Sequence, residues 1–116
     1  MKSKRITIYL DPFLIKIIDD FRFTYTDQHR GRIISIVVSF LIDQEQKIQD
    51  HYLKLSKAYI DNHDEISPGV TYGEISLGMY SVNLFVNDKL YKIFKDSQKK
   101  YIIVAAMIYV GLIKVD

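Results

Sequence analysis

The sequence predicts a mainly α-helical protein with short β-ribbons, and three observations support this fold class. First, a strand pattern followed by helical patterns occurs twice along the chain. Second, apolar residues make up 48% of the 116 residues, which is enough to bury a compact core. Third, no uncharged apolar run approaches the roughly 18 residues of a membrane span. The absence of cysteine also excludes disulfides and thiolate metal sites.

The first strand is predicted at residues 5–10, where polar and apolar side chains alternate. Asp11 and Pro12 follow it as a helix N-cap and a first helical residue. Apolar residues then recur at helical spacing, which predicts a helix from about Pro12 to Tyr25. The alternation places Ile6, Ile8 and Leu10 toward the core and Arg5, Thr7 and Tyr9 toward solvent.

A second helix is predicted to begin near Arg32, after the basic turn at residues 29–32. Its apolar residues keep a helical period to about Asp61, so we expect one long helix, straight or kinked. Proline and glycine residues then indicate a linker over residues 63–79. The predicted organisation is therefore an N-terminal motif at 1–62, this linker, and a C-terminal motif at 80–116.

The pattern of the first motif returns after the linker. Alternation predicts a second strand at 81–86, and Asn87 with Asp88 begins a helix. Lys99 and Lys100 precede a final apolar helix. The two strands align at an offset of 76 residues and the last helices at about 69, so the first helix of the second copy is shorter by about two turns. The outward residues of the second strand are Ser81, Asn83 and Phe85.

A single short strand is unstable alone, so each strand needs a partner. Pairing within one chain would give a monomer with one ribbon. We expect instead that like strands of two chains pair and form an intertwined dimer, because a long helix and a linker separate the two strands of one chain. The charge distribution suits contact with a polyanion at two places, since residues 1–32 and 88–116 each carry +3 and residues 43–65 carry −3. Solvated helix faces would account for these charges equally well.

Residues 4–12 (KRITIYLDP), the basic turn and residues 33–37 (IISIV) closely resemble ribbon-helix-helix transcription regulators, a family of small dimeric repressors. The resemblance covers residues 1–43 well and residues 80–115 more weakly. Tandem copies with this composition are also similar to regulators of archaeal filamentous viruses. The resemblance implies a homodimer, or a higher oligomer on DNA, that binds an operator of inverted-repeat character and represses transcription in the cytoplasm of the cell.

The resemblance also implies which residues contact DNA. The three outward residues of the first strand (Arg5, Thr7 and Tyr9) would contact bases in the major groove. Phosphates would be held by Lys4, Arg30, Gly31 and Arg32. A second DNA site would comprise Ser81, Asn83, Phe85, Lys99 and Lys100. This second copy departs from the family pattern in Phe85, in its shorter helix and in lacking a glycine at the turn.

The alternative interpretation is a protein-interaction or assembly module, similar to an antitoxin, that uses the C-terminal half. An enzyme is not expected, because the chain carries no nucleophile motif, phosphate-binding loop or paired carboxylates. The three histidines (His29, His51 and His63) lack metal-ligand spacing. We therefore expect no metal, no cofactor, no small-molecule substrate and no membrane partner.

Overall fold

The computed structural model describes residues 3–66, 79–96 and 98–115. The protein is mainly α-helical with one short two-stranded antiparallel ribbon, as the sequence predicts. Two helices follow each strand, and one further helix lies between the two halves. The elements are β1 (Lys4–Leu10), α1 (Pro12–Tyr25), α2 (Arg30–Ile42), α3 (Gln46–Asp61), β2 (Tyr80–Val86), α4 (Asp88–Lys95) and α5 (Lys99–Tyr109).

The two strands bury one face and expose the other, as their alternation predicts. The inward residues Ile8 and Leu84 are completely buried, and Ile6 near the start of β1 is half-buried. These side chains pack on apolar residues of all the helices to form one core cluster. Burial of each large aliphatic side chain contributes about 1.5–3 kcal/mol to stability. This free energy decides which face of each strand turns toward the core.

The pairing of the strands differs from the expected one. β1 pairs antiparallel with β2 of the same chain, from Lys4 opposite Val86 to Leu10 opposite Tyr80. The expected intertwined dimer, with like strands of two chains paired, is therefore not the arrangement of this structure. One chain supplies both strands of the ribbon, and both halves contribute to the same core.

The predicted long second helix is two helices. α2 ends at Ile42 and α3 begins at Gln46, with Asp43 and Glu45 as the flanking caps. The side-chain amide of Gln49 donates to the carbonyl oxygens of Ile42 and Gln44 at 3.2 and 2.9 Å. These bonds satisfy carbonyl groups that the end of a helix leaves without partners. The break lets α3 turn back toward the core.

α3 packs along α5. Ser56, which is fully buried, donates a hydrogen bond to the carbonyl oxygen of Tyr101 at 2.6 Å. Tyr52 and Tyr109 meet edge to face with ring centroids 5.1 Å apart. Residues 103–108 of α5, on which α2 also packs, are all buried. α3 is therefore part of the same core, whereas the predicted long helix would have projected from it.

Most of the predicted linker, at residues 67–78, lies outside the described residues. Within the described ranges, every helix is too short or too polar to cross a bilayer.

Candidate nucleic-acid interface

The outward face of the ribbon consists of three cross-strand pairs. Arg5 lies opposite Phe85, and Tyr9 lies opposite Ser81. In the middle, the hydroxyl of Thr7 donates a hydrogen bond to the side-chain oxygen of Asn83 at 2.7 Å. All of these side chains are exposed except Tyr9, which is half-buried. The structure therefore brings both predicted sets of outward residues onto one surface, here called the ribbon plate (Arg5, Thr7, Tyr9, Ser81, Asn83 and Phe85).

The ribbon plate carries one cation. The guanidinium of Arg5 forms no ion pair with any other residue in the described part of the chain. Lys4 lies beside the plate and turns toward α4, where its ammonium is 3.1 Å from Asp88 and 4.9 Å from the ring centre of Tyr91. Both partners of this ion pair are exposed, so it contributes little and a phosphate can compete for Lys4.

The N-terminus of α2 lies against the edge of the ribbon. Gly31 is buried, and a Cβ atom there would overlap the backbone carbonyl oxygen of Asn83. A glycine is therefore required at this close approach. His29 caps the helix but makes no side-chain hydrogen bond to the backbone amides of the first turn. Those amides and the exposed Arg32 are positioned to bind an anion beside the plate.

Arg30, which is predicted to hold a phosphate, is also bound to a carboxylate of the protein itself. Its Nε and Nη2 atoms donate to the two carboxylate oxygens of Asp19 at 2.8 and 2.6 Å. Arg22 donates to the same carboxylate at 2.8 Å. The hydrogen bonds from Arg30, and secondarily from Arg22, hold the pKa of Asp19 below its ordinary value against the effect of burial. Arg30 thus joins α1 to α2 and positions the helix N-terminus, with part of its guanidinium already bound.

A groove of about 770 Å³ runs between the start of α2 and strand β2. It joins the expected phosphate anchor to the ribbon plate. Arg22, which the sequence reasoning did not assign to the site, also lines it. In the sequence, Arg22 could have been recognised by its position in the last turn of the first helix, shortly before the basic turn at residues 29–32. The lining residues are Arg22, Gln28, His29, Arg30, Gly31, Arg32, Ser35, Ser81, Val82, Asn83 and Phe85.

Lys99 and Lys100, at the start of α5, are the expected second phosphate anchor, but the protein encloses both side chains at least in part. The ammonium of Lys100 is 2.9 Å from a carboxylate oxygen of Asp11, and both side chains are almost completely buried. The prediction that Lys100 contacts phosphate is therefore wrong, because its charge is paired inside the protein. Lys99 is half-buried, and burial lowers its pKa against the opposing effect of Asp96. Asp11, predicted as an N-cap, makes no side-chain capping bond.

Fold and site together define a class: a small helical protein with an exposed two-stranded ribbon and an arginine-lined groove beside it. In comparisons with protein-family models, curated proteins and solved structures, the chain matches none of them. The function is therefore inferred from the geometry and chemistry of the site.

Proposed function

We propose that this chain is a sequence-specific regulator of transcription that binds double-stranded DNA. Its two tandem ribbon-helix-helix motifs fold against each other, so that one chain forms the unit that two chains form in a homodimer. The ribbon plate enters the major groove and contacts base edges, while the start of α2 holds the DNA backbone. A protein bound in this way blocks access to the promoter, and we therefore propose repression as the outcome.

The observation that carries the proposal is the register of the ribbon. When two equivalent antiparallel strands are related by a two-fold axis, the residue on the axis pairs with its own copy. The repeat in the sequence relates residue 7 to residue 83. The ribbon pairs these same two residues, Thr7 and Asn83, and they are hydrogen-bonded at its centre. Sequence repeat and strand register thus agree on one pseudo-two-fold axis, which supports a pseudo-dimeric ribbon.

The dimensions and chemistry of the surface suit duplex DNA. The major groove, about 12 Å wide, admits a two-stranded ribbon. Arg5 can donate two hydrogen bonds to guanine, and Asn83 keeps its amide donors and a second oxygen lone pair for adenine. Arg32 is exposed in the groove beside the plate, where it would contact a phosphate that flanks the bases.

The experiment that tests the proposal compares two arginine variants on duplexes of selected and random sequence. Arg5→Ala should weaken binding to the selected duplex by about 1–3 kcal/mol and relax the base preference at one position. Arg32→Ala should weaken all sequences alike and reduce the salt slope by about one. Fluorescence anisotropy across a salt series measures both effects.

Lys54→Ala is the matched control, because Lys54 is an exposed cation on α3, outside the ribbon plate and the groove. The proposal fails if the wild-type protein binds no duplex at low salt. It also fails if Arg5→Ala behaves as Lys54→Ala does.

One observation favours protein interaction as a second candidate function. An apolar groove of about 330 Å³ lies along the exposed side of α2, where Phe40 is 54% exposed and Ile36 is 38% exposed. Val110 and Leu112 of the C-terminal half, which is expected to carry such a surface, also line this groove, whereas residues 103–108 of α5 are buried. Sedimentation with and without duplex separates the two functions. An interaction module that self-associates through this groove sediments as an oligomer without DNA, whereas a DNA-binding protein gains mass only when duplex is added.

A further inference from the structure

The ribbon plate has nearly symmetric backbone pairing but an asymmetric set of side chains. We infer that the protein binds a duplex site without inverted-repeat symmetry and in a single orientation, with a guanine-containing half-site under the end formed by Arg5 and Phe85. This inference rests on the proposed function. It also differs from the inverted-repeat operator that the resemblance to dimeric regulators implies.

The asymmetry follows from the register. A ribbon of two identical β1 strands would present an arginine and a tyrosine at each end. Here one end pairs Arg5 with Phe85, and the other end pairs Tyr9 with Ser81. The plate therefore carries its cation at one end only, and the opposite end carries two hydroxyl groups.

The two ends differ in the bases they can distinguish. Arg5 can form two parallel hydrogen bonds with O6 and N7 of guanine, the commonest specific contact in the major groove. The ring of Phe85 is 69% exposed and can pack only through apolar contact, for which the methyl group of thymine is the available partner. Tyr9 and Ser81 carry hydroxyl groups that both donate and accept, so they discriminate little among bases.

The centre of the plate is directional as well. The hydroxyl of Thr7 donates to the side-chain oxygen of Asn83, so its proton is turned toward β2. The amide group of Asn83 remains as the hydrogen-bond donor at the pseudo-two-fold axis. Two identical residues on that axis would present the same groups to both halves of the site, whereas this pair does not.

The flanking anchors reinforce the orientation. On the side of α2, Gly31 brings the helix N-terminus against β2, and Arg32 is exposed beside it. On the side of α5, Lys100 occupies the position that aligns with Gly31, and its charge is paired with Asp11 in the interior. One DNA strand is therefore held more strongly than the other, in addition to the asymmetry of the base contacts.

Selection of duplexes from a random pool by the full chain tests the inference. We expect a consensus with one well-defined half containing guanine and one degenerate half. The informative variant makes the plate symmetric by the triple substitution Ser81→Arg, Asn83→Thr and Phe85→Tyr. It should select an inverted repeat and bind a duplex with two copies of the guanine half-site about 5- to 150-fold more tightly than the wild type does. Ser81→Ala is the control, since it alters the same end without adding a guanidinium.

A second readout measures orientation directly. The chain has no cysteine, so Asp27→Cys provides a single attachment point for a DNA-cleaving iron chelate in the exposed turn beside the groove. Cleavage on one side of the selected site supports the inference. Equal cleavage on both sides, or an inverted repeat selected by the wild type, overturns it and leaves DNA binding intact. If no duplex is retained, the proposed function fails together with the inference.

Discussion

Replacement of Lys100 by methionine should destabilise the protein strongly. The Lys100 ammonium lies 2.9 Å from the Asp11 carboxylate, and the two side chains are only 1% and 3% exposed. Methionine keeps the length and apolar stem of lysine but removes the charge, which leaves the carboxylate buried beside an apolar group. Breaking a buried ion pair in this way costs about 3–5 kcal/mol. The cost is electrostatic, because the volume at the site changes little.

Urea unfolding followed by circular dichroism measures the change in the free energy of unfolding. Lys114→Met is the control, since Lys114 is exposed and its replacement should change stability by less than about 0.5 kcal/mol. The double variant Asp11→Asn with Lys100→Met should recover most of the loss, because both buried charges are then removed. A loss below about 1 kcal/mol in Lys100→Met, or a double variant as unstable as the sum of the single ones, would refute this reasoning.

Two further predictions concern the attachment of α2 to the rest of the protein. Gly31→Ala should cost about 1–3 kcal/mol and weaken duplex binding, because the new methyl group overlaps the Asn83 carbonyl of the ribbon. Thermal unfolding and anisotropy would measure both effects, and unchanged stability would contradict the close approach. Asp19→Asn should be destabilising at pH 7, because the pKa of Asp19 is lowered in the folded protein. That stability is fully present above the unfolded pKa of about 3.9 and is lost as the pH falls through the folded pKa, so the difference from wild type should shrink below about pH 4. Unfolding free energies from pH 7 to pH 2 would test this, and a pH-independent difference would refute it.

Local patterns were sufficient to predict much of the candidate site. Alternation in residues 5–10 and 81–86 depends only on which face of a strand is buried, so the outward residues could be assigned before the strands were paired. The start of α2, at Arg30 rather than near Arg32 as predicted, could be placed to within two residues, because the helical spacing of apolar residues begins directly after it. The roles of individual basic residues could not be assigned in this way. Arg30 and Lys100 look alike in the sequence, yet carboxylates distant along the chain, Asp19 and Asp11, bind both of them.

The sequence by itself determined the helical class, the two strands, their inward and outward faces and the repeat that relates them, because these depend on short periodic patterns. Only the tertiary structure decided which strands pair. That choice depends on contacts between distant residues, which local patterns do not encode: the turn between α2 and α3, the packing of α3 on α5, and the buried pair of Asp11 and Lys100. The residues that align with this pair, Asn87 and Gly31, are uncharged. A ribbon of two β1 strands would therefore face Asp11 with a glycine, whereas pairing within the chain gives that carboxylate a cation.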